Sequence, residues 1–113
     1  MECLFSAIGK AEILDEEEFD IITALSGFGH AYIFYFCELM QKSAEKLGLD
    51  KDVAKRFAVQ TVYGAGKMLD VTKEFAATLK EKVKSPNGTT EAALDYFESK
   101  NLSNMCIELW NRL

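Results

Sequence analysis

The sequence predicts an all-α fold of about five to six helices, on three observations. Apolar residues recur at three and four positions rather than two, only one of the 113 residues is Pro, and turn residues cluster once, at Ser85-Pro86-Asn87-Gly88. A chain that is 49% apolar and 27% charged forms one domain rather than two, and composition excludes disorder. At this size roughly two thirds of the unfolded surface can be buried, so a self-sufficient core is within reach.

The elements follow in order. Lys10 to Leu14 alternates as a short extended piece would. Asp15 and Glu18 have the offset of a capping pair, and Phe19, Ile22 and Ala24-Leu25 give an apolar face, which predicts a helix from about Glu16 to Leu25. The acidic run Asp15 to Asp20 complements the dipole of that helix, and Gly27 and Gly29 punctuate its end. A second helix is expected from about Ala31 to Leu47, with Gly48 at its C-terminal cap. Its first half, Ala31 to Met40, is apolar all round except at Glu38 and must be covered on every side. A domain this small has few layers for that, so a second chain is the expected cover and the chain a dimer.

Asp50 can cap a third helix, Lys51 to about Leu69, with Val53, Phe57, Thr61, Gly64 and Met68 close to one face. Each helix-interior Gly costs about 1 kcal/mol relative to Ala, so Gly64-Ala65-Gly66 suggests the close approach of another helix backbone. Shorter helices are expected over Glu74 to Lys84, Thr90 to about Ser99, and Ser103 to Leu113.

Charge and cysteine content exclude several classes. A net charge of -5 argues against nucleic acid as a partner, because such affinity rests on clustered Lys and Arg. Ten of the thirteen basic residues fall between Lys42 and Lys84, a distribution that suits an anionic cofactor or, as the plainer reading, a solvated face. Cys3, Cys37 and Cys106 are odd in number and widely spaced, which writes neither a disulfide framework nor a zinc site and points to a reducing, cytoplasmic setting. The longest apolar run is too short to cross a bilayer, and Met1-Glu2-Cys3 lacks the basic start of a signal peptide.

Two motif fragments fail on their spacing. Gly27-Phe28-Gly29 opens like a dinucleotide fingerprint, but its third glycine position holds Tyr32; Gly66-Lys67 ends like a phosphate loop, but Thr61 and Met68 stand where glycine and a hydroxyl are needed. His30, the only histidine, has no carboxylate or cysteine at ligand spacing and reads as a helix-start residue with a satisfied ring; no metal site is expected. The segment Ser85 to Thr90 is the most informative. A loop ending in Gly88-Thr89-Thr90 at a helix start exposes N–H groups that can hold a carboxylate or phosphate, while Thr89 or Thr90 capping the helix is the plainer reading.

Four stretches, taken together and in order, resemble one family. They are Leu4-Phe5-Ser6-Ala7-Ile8-Gly9-Lys10, Thr23-Ala24-Leu25-Ser26-Gly27-Phe28-Gly29-His30-Ala31-Tyr32, Ala58-Val59-Gln60-Thr61-Val62-Tyr63-Gly64-Ala65-Gly66-Lys67-Met68-Leu69, and Ser85-Pro86-Asn87-Gly88-Thr89-Thr90. From about Leu4 to Leu109 the chain resembles the C-terminal domain of pyrroline-5-carboxylate reductases. It departs at Phe28 and His30, where the family usually has Ser-Gly-Ser-Gly-Pro, and at Asn87, where it usually has Ser-Pro-Gly-Gly. Asn87 can keep the loop shape because Asn tolerates left-handed backbone, whereas Phe28 puts a large ring at a tight bend.

The resemblance implies a helical domain that intertwines with its twin, whether or not dimers assemble further. It implies NADPH- or NADH-dependent reduction of 1-pyrroline-5-carboxylate to L-proline, with the nicotinamide held by an N-terminal Rossmann domain absent here. Residues 1–14 would then be the end of a linker or last element of that domain, and residues 15–113 the dimerisation and substrate-binding domain. Such a chain is expected to be inactive alone and to hold no cofactor; the alternative is a free-standing, non-catalytic helical dimer. By the same resemblance Ser85, Asn87, Gly88, Thr89 and Thr90 bind the substrate, with its carboxylate near the Gly88 and Thr89 amides and the Thr90 hydroxyl at its ring nitrogen. Thr90 and Thr23 are the candidate catalytic residues.

Overall fold

The computed structural model describes residues 15–84 and 88–112, and among these it is helical with no strand. Five helices follow one another: α1 (Glu16–Lys46), α2 (Lys51–Thr72), α3 (Ala76–Val83), α4 (Thr89–Ser99) and α5 (Leu102–Asn111). The extended piece expected at Lys10 to Leu14 lies outside the described residues.

Helix α1 starts where its cap predicts, with Asp15 Oδ1 accepting the Glu18 N–H at 2.7 Å and Glu16, Glu17 and Glu18 in the first turn. The expected break at Gly27 and Gly29 does not occur. One helix of 31 residues replaces the two expected, and its backbone runs through both glycines. Two interior glycines cost about 2 kcal/mol in propensity, less than opening two new helix ends with four unpaired groups each. Consequently Phe28 sits at no bend; its ring is exposed on a continuous helix, and His30 lies in mid-helix with Nδ1 2.8 Å from the Ser26 carbonyl oxygen.

The end of α1 is local chemistry. Gly48, at φ 111°, takes the left-handed position, its N–H donates to the Glu45 carbonyl, and the Leu49 N–H donates to the Ala44 carbonyl. The chain then turns back into α2, whose cap is Asp50, with Oδ2 accepting the Asp52 N–H at 3.1 Å. Helix α2 extends past the expected Leu69 to Thr72 and stops at Lys73, a non-glycine residue at φ 59°. Before α3, Glu74 receives Lys82 Nζ at 2.7 and 2.9 Å, which ties the entry of this short helix to its last turn.

Helix α1 is the spine. Ala54 and Ala58 on α2 are buried, small residues that let the two long helices approach beside Met40 and Ala44. Tyr32 meets Trp110 of α5 edge-on at 5.0 Å between ring centroids, and Phe36 meets Phe97 of α4 at 6.2 Å. Leu79 of α3 is buried beside Met68 and Leu69 of α2.

The self-sufficient core that the size allows is not formed by one chain. Ala54, Ala58 and Leu79 are the buried hydrophobic residues among those described, while Ile33, Phe34, Tyr35, Phe36 and Leu39 stand exposed along α1. Gly64 and Gly66 fit the same picture. Apart from its own helix backbone and chain neighbours, nothing lies within 4 Å of a Cβ built on either, so the close backbone approach expected there is not made among the described residues.

Two measurements test this account. The thermal midpoint should rise with protein concentration, each tenfold step adding about 1.4 kcal/mol per dimer. A midpoint constant over a hundredfold range would contradict it, and Phe34→Glu should yield monomers in sedimentation. Replacing Lys73 with Gly should raise unfolding free energy by about 1 kcal/mol, because Gly tolerates the left-handed backbone and the exposed Lys73–Asp70 pair contributes little.

Candidate functional site

The start of α4 is the first part of the site. Its cap is Gly88, extended at φ -85° and ψ 171° and half-buried, so neither Thr89 nor Thr90 caps the helix as the plainer reading expected. They are its first two helical residues, and both are exposed. Gly88 has no side-chain oxygen to offer the first-turn amides, which leaves the positive end of the helix suited to an anion from outside the helix. Ser85 and Asn87, the other two substrate-binding candidates, lie outside the described residues.

Thr23 is the second part. It sits in α1, half-buried, and its Oγ1 is buried with no hydrogen-bond partner among the described residues. The helical threonines Thr61 and Thr72 instead bond back to the carbonyls of Phe57 and Met68, each at 2.7 Å. A buried hydroxyl left unpaired costs about 1–3 kcal/mol, so Thr23 is a donor and acceptor awaiting a partner. Trp110 Nε1 is buried and unpaired in the same way.

One chain does not bring Thr23 and Thr90 together through a hydrogen bond among the described residues. The aromatic contact of α1 with α4 is made at Phe36, about 20 Å along the helix from Thr23. Any site using both residues therefore needs another arrangement of chains or a ligand between them.

Sequence reasoning missed a charged pair at the end of α3. Lys84 caps α3 in extended conformation, its side chain is 28% exposed, and its Nζ lies 2.9 Å from Glu81 Oε2. The hydrogen bond from Lys84, reinforced by its charge, holds the Glu81 carboxyl below its ordinary value. The same bond raises the Lys84 ammonium against partial burial, and the charges of Glu81, Glu91 and Asp95 add to it. The spacing of Glu81 and Lys84 could have signalled their pair; the added effect of charges on another helix could not.

Gly27-Phe28-Gly29 lies inside α1 rather than on a strand-to-helix turn, so these glycines form no cradle for a dinucleotide. Among the described residues no group of three or more His, Cys, Asp or Glu could hold a metal ion, and no helix is long and apolar enough to cross a membrane.

Comparison with known proteins places this geometry. Residues 16–112 match the family model for pyrroline-5-carboxylate reductase dimerisation. Pyrroline-5-carboxylate reductase 2 of Bacillus subtilis is 37% identical over 110 residues, covering 95% of this chain and 40% of the relative. The pyrroline-5-carboxylate reductase of Pseudomonas aeruginosa is 40% identical over 109 residues, covering 96% of this chain and 40% of that protein. The chain thus spans about two fifths of the length of these relatives.

Among solved structures, a pyrroline-5-carboxylate reductase from Coxiella burnetii superposes with a TM-score of 0.81 at 41% identity, covering 88% of this chain and 37% of that one. The Plasmodium falciparum pyrroline carboxylate reductase with NADP bound gives 0.84 at 27% identity, covering 98% and 42%. The exposed apolar spine and the family match have one explanation: the chain belongs to the pyrroline-5-carboxylate reductase family and carries its dimerisation domain.

Proposed function

We propose that this chain is the self-associating, substrate-holding part of a cytoplasmic enzyme that reduces 1-pyrroline-5-carboxylate to L-proline with NADPH or NADH. The observation that carries the reading is the match of residues 16–112 to the reductase dimerisation family, with relatives of that name covering 95% of the chain. The NADP bound in the Plasmodium neighbour supports the nicotinamide dependence, and the free thiols of Cys37 and Cys106 suit a reducing compartment. The helical setting of Gly27 and Gly29 does not fit a nicotinamide cradle, so the cofactor is assigned to a domain outside this chain, and the chain alone is assigned no activity.

In this reading the start of α4 takes the substrate carboxylate. The amides near Gly88 and Thr89 donate to it, favoured by the helix dipole, with Ser85 and Asn87 of the preceding sequence as further binding residues. The Thr90 hydroxyl, on the exposed first turn, meets the ring nitrogen and orients the imine for reduction at its carbon. Thr23 supplies the second hydroxyl, and its unpaired Oγ1 supports that role. Since one chain leaves Thr23 and Thr90 unlinked, self-association also assembles the pocket.

The test is Thr90→Ala in the complete reductase that carries this chain. Loss of a hydrogen bond to a charged group should lower kcat/KM by about 10- to 100-fold, and Thr90→Ser should keep most activity. Unchanged kcat and KM would sink the assignment.

A further inference from the structure

His30 stands in the middle of an uncharged stretch. Residues 21–37 hold no Asp, Glu, Lys or Arg, and His30 is the one histidine of the chain. It is exposed in mid-helix. Its Nδ1–H donates to the Ser26 carbonyl at 2.8 Å, which leaves Nε2 as the nitrogen that takes up a proton. Its ring meets that of Phe34 at 6.4 Å between centroids, and Phe34 is the most exposed ring along the apolar spine.

His30 thus shares the face of α1 that a second copy would cover. The two residues lie about 40° apart round the helix, whereas Tyr32 and Phe36, which meet α5 and α4, lie about 120° or more from His30. The α2 contact at Met40 and Ala44 is about 15 Å or more further along. Among the described residues no ion pair reaches His30. The nearest charges in sequence on α1, Asp20 and Glu38, are about 15 and 12 Å away along the axis, beyond the Debye length in physiological salt. The other titratable side chains of the stretch, Tyr32, Tyr35 and Cys37, are neutral in their protonated forms, so acid charges His30 alone.

We propose that His30 makes self-association pH-dependent: the neutral ring joins Phe34 beneath the second copy, and protonation puts a charge under that cover and loosens the dimer. The inference rests on the reading that α1 is the covered face. A two-fold dimer buries the same patch on both copies, so the interface holds two such histidines. Burial disfavours a charged imidazole, whose titration in water is centred near about pH 6.5. The stabilisation is therefore present above that value and is lost as pH falls through it.

The experiment measures the dimer dissociation constant of the complete reductase that carries this chain, by fluorescence-detected sedimentation of dilution series at about pH 7.5 and about pH 5.5. The wild-type constant should rise by about tenfold in acid, whereas that of His30→Gln, which has no titrating ring, should rise by about twofold or less. Should His30→Gln fail to fold, His30→Leu carries the test, equally flat with pH and as tight as wild type at the higher pH. Wild type and variants that move together with pH, or a wild-type dimer that tightens in acid, overturn the inference. Phe34→Glu, measured alongside, separates the two claims. Monomers from Phe34→Glu with His30 variants as acid-sensitive as wild type remove the role of His30 alone, whereas a dimer unmoved by Phe34→Glu removes α1 as the covered face and the role of His30 with it.

Discussion

The rest of this structure depends on the apolar surface of one long helix. Helix α1 presents Ile33, Phe34, Tyr35, Phe36 and Leu39 around much of its circumference, and the other helices of the same chain cover only part of it. Phe34 remains 69% exposed. Apolar side chains left in water forgo about 1.5–3 kcal/mol each, so the folded form gains strongly from a second copy that covers them. The membership of residues 16–112 in a dimerisation family gives that surface its purpose.

That division of labour explains how thinly the single chain is packed. Its own contacts suffice to orient helices: alanines set the approach of α1 and α2, and the Tyr32–Trp110 and Phe36–Phe97 contacts hold α5 and α4. They do not build a sealed interior. The open faces at Gly64 and Gly66, where an added Cβ would touch nothing within 4 Å, belong to the same unfinished surface. Small residues there leave room for a backbone that the single chain does not provide.

Electrostatics then shapes the end of the domain proposed to meet substrate. The Gly88 cap brings no side-chain oxygen of its own to the first amides of α4, and the positive end of that helix favours an anion. The acidic balance of the whole chain makes this local dipole matter, since a net charge of -5 gives no general attraction for a carboxylate.

What the sequence determined by itself is what short-range chemistry decides. The caps at Asp15, Gly48 and Asp50, the all-α class and the apolar girth of residues 31–40 were all legible, because each depends on residues within a turn or two of one another. The motif stretches also made the family legible, although Ser85 and Asn87 fall outside the residues whose geometry is described. Only the tertiary structure decided that α1 runs unbroken through Gly27 and Gly29, since two weak helix formers yield to neighbours that reward a continuous rod. Thr23 keeps a hydroxyl without a partner among the described residues, and Tyr32 meets Trp110 edge-on, for a related reason. These outcomes depend on how helices lie against one another, and that is a sum of distant contacts which no local spacing encodes.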